Sequence, residues 1–167
     1  LRVFHNPDSL AKLIDTINDV RYRPLIVKLP PYPALNVPPE QFAEAKESLL
    51  ALVDVCKQYG VDGLTVANTR PTNDQRLAVG VGGLSGRPVF SRMLEMVRDV
   101  RDTVGEEMTI NSSGGVFTGK DALAAVQAGA TTVQLYTSFV YRGPTVARSV
   151  NRELLAAMRS ERVMPHT

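Results

Sequence analysis

Hydrophobic positions along this chain alternate between a helical and an extended period. Leu10, Leu13, Ile14, Ile17 and Val20 recur at helical spacing behind Asn6-Pro7-Asp8-Ser9, which has the make-up of an N-cap and first turn. Residues 24–29 are a short apolar run, expected as a strand and ended by Pro30, Pro31 and Pro33. Pro38-Pro39-Glu40 starts a long helix with Phe42, Ala45, Leu49, Leu52, Val53 and Cys56 as its inward stripe, and Gly60 stops it. A second strand is expected over 61–67. A polar connection of about twenty residues follows it, longer than structureless links usually run and so a candidate functional loop. The third helix runs from about residue 88 to 103, with Met93, Met96, Val97 and Val100 inward and Gly105 beyond its end. Residues 108–111 read as a strand. Thr118-Gly119-Lys120-Asp121 resembles a capping box, with Asp in the usual Glu place, ahead of a short helix over 122–128 that Gly129 ends. The fourth strand spans 132–136, and Gly143-Pro144 opens a last amphipathic helix through Val146, Val150, Leu154, Leu155 and Met158. Residues 163–167 carry no pattern.

Strands and helices that alternate in this way imply right-handed βαβ units and a parallel sheet. No linker or low-complexity block interrupts residues 1–167, so one domain is expected. Two architectures remain: an open doubly wound sheet, or part of a (β/α)8 TIM-type barrel, whose complete form needs about 250 residues. The positions of the chemistry-bearing residues favour the barrel. Lys28, Asn68-Thr69, Gly114-Gly115 and Tyr136-Thr137 all fall at C-terminal strand ends, and barrels commonly hold phosphate in the loops after their last two strands. The Gly-x-Gly-x-x-Gly turn that a dinucleotide-binding sheet places after its first strand is absent.

Two glycine-rich segments stand out, Gly82-Gly83-Leu84-Ser85-Gly86 and Ser112-Ser113-Gly114-Gly115, each beside a strand and ahead of a helix. Glycine lets backbone approach a ligand closely, and amides at a helix N-terminus bind anionic oxygens, so the pair is expected to cradle a phosphate. Gln134-Leu135-Tyr136-Thr137-Ser138 adds hydroxyls at a further strand end. The composition is consistent with this. The chain has 167 residues, 44% of them hydrophobic, enough for one sizeable core, and its net charge of +2 comes from scattered Lys and Arg. No basic run interleaves with aromatics, so an anionic small molecule is expected rather than nucleic acid. Cys56 is the single cysteine and lies in an apolar stripe, which excludes a disulfide framework and a thiol metal cluster. No stretch approaches the roughly 20 apolar residues of a membrane span. Leu1 stands where an initiator Met would, and a helix cap follows at once, so a fragment or processed chain is expected.

At these residues the chain resembles the C-terminal half of the dihydroorotate dehydrogenases, specifically the quinone-dependent class 2. The resemblance runs in order through Val27-Lys28-Leu29, Val61-Asp62-Gly63-Leu64, Asn68-Thr69, Gly82-Gly83-Leu84-Ser85-Gly86, Gly114-Gly115-Val116, Asp121-Ala122-Leu123, Ala128-Gly129-Ala130, Val133-Gln134-Leu135-Tyr136-Thr137 and Gly143-Pro144. It implies about four C-terminal βα units of a (β/α)8 barrel forming the FMN-binding half. It implies FMN held by Lys28, Ser85, Gly86, Gly114, Gly115, Tyr136 and Thr137, with dihydroorotate or orotate met by Asn68 and Thr69. Lys28 would lie near the electron-rich end of the flavin and stabilise negative charge on the reduced ring. Read from the residues alone, Lys28 is also compatible with a surface lysine, Asn68 with a turn former and the glycines with packing relief.

The same resemblance assigns proton removal from the substrate to a serine in a loop ahead of this sequence. No catalytic base is therefore expected within it, and the chain alone is expected to be inactive. The whole enzyme would oxidise dihydroorotate to orotate in pyrimidine biosynthesis, pass electrons to quinone, and associate with the bacterial cytoplasmic or mitochondrial inner membrane. The partner of this half would be the N-terminal half-barrel or a second copy. Two departures touch the expected site: the family's Thr-Asn-Thr is Ala67-Asn68-Thr69, and its Gly-Val-Gly-Gly is Ser112-Ser113-Gly114-Gly115, where the Ser112 Cβ is expected to crowd the flavin. Two other readings remain open: a non-catalytic half-barrel that binds FMN or another phosphate ligand, and another FMN-dependent TIM-barrel oxidoreductase.

Overall fold

The computed structural model describes residues 6–163. Helix α1, Pro7–Asn18, begins as its sequence dictates: the Asn6 side chain accepts from the Ser9 N–H at 3.0 Å and Pro7 occupies the first turn. Leu10 and Ile14 are buried. The helix ends before Val20, which is 77% exposed rather than inward, because the chain must turn there toward β1, Ile26–Lys28. Helix α2, Pro39–Gln58, buries Leu49, Leu52, Val53 and Cys56. Between β1 and α2, Tyr32 is buried with its ring edge-on to Phe42, and its hydroxyl donates to Asp99 at 2.9 Å. Burial, followed by the Asp99 carboxylate, pushes the Tyr32 phenol far above its ordinary range. Lys46 binds the other Asp99 oxygen at 2.7 Å, so the proline-rich segment after Lys28 is anchored to two helices.

Strand β2, Gly63–Val66, is buried throughout. The polar connection that follows is not structureless. It folds into an antiparallel hairpin of β3, Arg70–Asn73, and β4, Val81–Leu84. Gly82 and Gly83 are therefore strand residues, and hydrogen bonding between the two arms overrides their weak β propensity. A 3-10 turn, Arg87–Val89, delays α3 to Phe90–Val104, whose inward side is Met93, Met96, Val97, Val100 and Val104. Strand β5, Thr109–Ser113, runs two residues past the expected end. Helix α4, Gly119–Gln127, opens with the expected capping box: the Asp121 N–H donates to Thr118 Oγ1 at 3.2 Å and the Thr118 N–H donates back to the Asp121 carboxylate at 2.8 Å. Strand β6, Thr132–Gln134, is shorter than expected because the chain enters an unanticipated short helix, α5, Thr137–Arg142. Helix α6, Val146–Val163, packs on α4 through Val146, Val150 and Leu154, one residue per turn. Leu155, one position off that stripe, and Met158, one turn beyond Leu154, were expected inward but are 49% and 39% exposed. Residues 164–167 of the patternless tail lie outside the described residues.

The four parallel strands pair in the order β1-β2-β5-β6. That order follows the chain without reversal, and successive helices touch in one layer, α1 on α2, α2 on α3, α3 on α4 and α4 on α6. A doubly wound sheet would reverse strand order at a switch point and carry helices on both faces. The architecture is therefore part of a (β/α) barrel. Registers Lys28↔Thr65, Thr65↔Asn111 and Asn111↔Thr132 put a polar row on the face away from the helices. Leu64, Val66 and Ile110, on the alternate face, join the hydrophobic core.

Two expectations follow from the packing. A Cβ on Gly119 would lie 2.2 Å from the Leu154 nitrogen, so Gly119→Ala should cost about 2 kcal/mol and lower the melting temperature by roughly 5 °C. Gly60→Ala, strained only by its φ of +69°, should cost about 1 kcal/mol; equal melting temperatures for the two variants would contradict the close α4–α6 approach. Burial pushes the Cys56 thiol up to about 11, so iodoacetamide at pH 8 should label it only as the protein unfolds. Rapid labelling of the native chain would overturn that placement.

Candidate functional site

All four parallel strands point their C-terminal ends to one side of the sheet, where they and the hairpin enclose a cleft of about 520 Å³. Strand alternation decides its floor. Ala67, Ser113 and Gln134 line it because each lies two residues beyond the Thr65, Asn111 and Thr132 row, on the same face. The nine residues expected from the sequence, Lys28, Asn68, Thr69, Ser85, Gly86, Gly114, Gly115, Tyr136 and Thr137, all border this cleft. Chain positions from 28 to 137 are thus brought to one surface.

Lys28 ends β1 at the sheet margin and is the only charged side chain among the lining residues, so the cleft favours an anion. Asn68 Oδ1 accepts the Thr69 N–H at 2.9 Å, a local turn contact that leaves the amide nitrogen to meet a ligand. Tyr136 stands at the rim, 82% exposed. Thr137 Oγ1 donates to Ser85 Oγ at 3.0 Å and joins the loop after β6 to the loop after β4.

The glycines also have a packing task beyond the cradle expected of them. A Cβ on Gly115 would lie 2.7 Å from Phe90 Cβ and 2.8 Å from the Gly86 carbonyl oxygen, so the two glycine-rich loops press on each other. Gly86 and Gly115 also hold φ near +77° and +74°, where a side chain is strained. Close approach of loop to loop therefore requires glycine at both positions, besides their place on the cleft wall. The crowding expected at Ser112 is corrected too. Ser112 faces the helices, is fully buried and donates to the Thr132 carbonyl at 3.2 Å, while Ser113 faces the cleft.

Sequence reasoning named Ser138 among the hydroxyls of a strand-end segment but not among the expected site residues. It is 1% exposed, lines the cleft, and its hydroxyl oxygen meets no hydrogen-bond partner among the described residues. A buried hydroxyl left open is costly unless a ligand or water completes it. The signal that could have found it is its place in the first turn after a strand end, next to Thr137. Behind the cleft, burial pushes the Asp121 carboxyl upward, but hydrogen bonds from Arg87, the Phe117 N–H and Thr118 outweigh it and hold the group below the usual carboxylate range.

Comparison with known proteins places the chain in one family. The family model described as dihydroorotate dehydrogenase matches residues 2–158. A dihydroorotate dehydrogenase (quinone) of Rhodococcus erythropolis is 34% identical over 96% of this chain and 44% of its own length. One from Kocuria rhizophila is 39% identical over 71% of this chain and 35% of its own. The crystal structure of the Eimeria tenella dihydroorotate dehydrogenase in complex with ferulenol superimposes with a TM-score of 0.78 at 30% identity, covering 97% of this chain and 47% of that one. The chain spans less than half the length of each of these relatives. With a family model matched over residues 2–158 and a shared barrel architecture, the chain belongs to the dihydroorotate dehydrogenase family.

Proposed function

We propose that this chain forms the cofactor- and substrate-binding wall of a quinone-dependent dihydroorotate dehydrogenase, which oxidises dihydroorotate to orotate in pyrimidine biosynthesis. The observation that carries this reading is the convergence of all nine expected residues on one carboxylate-free cleft that includes an open buried hydroxyl. The residues present fit FMN. Gly86, Gly114 and Gly115 leave a wall without side chains, and Ser85, Thr137 and Ser138 supply hydroxyls for a phosphate, with Tyr136 at the rim. When bound, FMN supplies a two-electron acceptor for the substrate. Lys28 places a positive charge in the cleft that offsets negative charge on a reduced ring. Asn68 presents its amide, and Thr69 its hydroxyl, to orient the pyrimidine ring.

Proton removal is assigned by family resemblance to a serine outside these residues. The lining side chains include no carboxylate, imidazole or thiol to substitute for it. The margins β1 and β6 of the parallel sheet present backbone donors and acceptors to further strands, from a longer polypeptide or a second copy. Quinone as acceptor and association with a membrane belong to the same proposal. Among the described residues no helix is long and apolar enough to cross a membrane.

The test is to add FMN to the chain, remove free flavin by gel filtration and read the flavin spectrum of the protein peak. Retained flavin is expected, with Ser138→Ala weakening it about tenfold, the value of one hydrogen bond to a charged group. A peak without flavin would overturn the reading that these residues suffice to hold the cofactor. Dihydroorotate oxidation by residues 1–167 alone should not exceed a Lys28→Ala control, and turnover above that control would show that a base lies within the chain.

A further inference from the structure

Two charged residues that do not line the cleft link the loops that do. Arg87 follows Gly86 directly, and its Nη1 donates to Asp121 Oδ1 at 2.7 Å. The second Asp121 oxygen accepts the backbone N–H of Phe117 at 2.9 Å and that of Thr118 at 2.8 Å, just beyond Gly115. The Arg87 guanidinium also lies 5.0 Å from the Phe117 ring centre and 5.8 Å from that of Phe90. Phe117 is held from its other side as well: its carbonyl accepts from Arg142 at the end of α5, and Arg142 pairs with Glu153 of α6 at 2.9 Å. The Asp121 side chain is 12% exposed and that of Arg87 49%, so the pair is open to solvent on the arginine side while its carboxylate is largely enclosed.

We propose that Arg87 and Asp121 are positioning residues that set the separation of the two glycine-rich loops, and so the width of the phosphate cradle between them. The proposal rests on the reading of the cleft as an FMN site. Its mechanical basis is the contact already described, in which Gly115 packs directly on the Gly86 carbonyl with no room for a Cβ. Such a contact has no directional hold of its own. The ion pair supplies one: Arg87 is a single residue from Gly86, and Asp121 accepts the N–H of Phe117, two residues from Gly115. Without it the loops keep their individual turns but can move apart, and groups on both sides then no longer meet one phosphate together.

Arg87→Ala removes the clamp and leaves the α4 cap intact, whereas Thr118→Ala removes the side-chain cap of α4 and leaves Arg87 on Asp121. Two readouts separate the outcomes. Amide hydrogen exchange on the flavin-free chain should be faster over residues 82–90 and 113–117 in Arg87→Ala, restored in Arg87→Lys, and changed only in the first turn of α4 in Thr118→Ala. FMN titration by flavin fluorescence should show an affinity about tenfold weaker in Arg87→Ala, near parental in Arg87→Lys and unchanged in Thr118→Ala. Unchanged exchange in Arg87→Ala overturns the clamp. Altered exchange in Arg87→Ala, together with a parent chain that binds no FMN, supports the clamp and refutes the FMN reading. Equal loss of FMN in Arg87→Ala and Thr118→Ala would make the pair merely structural and overturn the proposal.

Discussion

Parallel pairing of the four strands in chain order is the constraint on which everything else here depends. A parallel strand cannot follow its neighbour through a tight turn, so the chain must cross back each time, and it does so through helices laid on one face. The other face is left with the polar row of Lys28, Thr65, Asn111 and Thr132, and every strand delivers its C-terminal loop to the same end. The cleft is a consequence of that geometry. Residues as distant as Lys28 and Thr137 meet because the registers of the intervening strands fix their relative height.

Within the cleft, apolar packing and polar contacts have separate tasks. The core beneath, built from Leu64, Val66, Ile110 and the inward sides of α2 and α3, holds the strands in place. The loops above add Val116 and Ala67 to that core and are further tied by specific polar contacts: Thr137 to Ser85, Asp121 to the Phe117 and Thr118 amides, and Arg142 to the Phe117 carbonyl. Such contacts leave the loop backbone open to a ligand while holding its geometry, which a binding surface needs and a hydrophobic cap would prevent.

The two departures expected at the site, Ser112 and Ala67, sit on opposite faces of the sheet. Ser112 adds a hydroxyl, but strand alternation points it at the helices, where the Thr132 carbonyl accepts its hydrogen bond. Ala67 does face the cleft and brings only a methyl group there.

Much of this was legible in the order of residues. Helical and extended periods located the main helices and the parallel strands, since burying one side of a helix or strand leaves a local trace in sequence. The capping box at Thr118 and Asp121 and the nine cleft residues were legible for the same reason, being local motifs at strand ends. The hairpin was not, because its arms Arg70–Asn73 and Val81–Leu84 are polar or glycine-rich and pair only with each other. Nor were the exposure of Leu155 and Met158, the outward turn of Ser112 and the open hydroxyl of Ser138. Each depends on which neighbour another part of the chain places against it, and no local pattern encodes that. Residue order was enough to specify the alternation of elements and the chemistry at the strand ends; which side chains share the cleft, and what each glycine is for, followed only once strand registers and helix contacts were set.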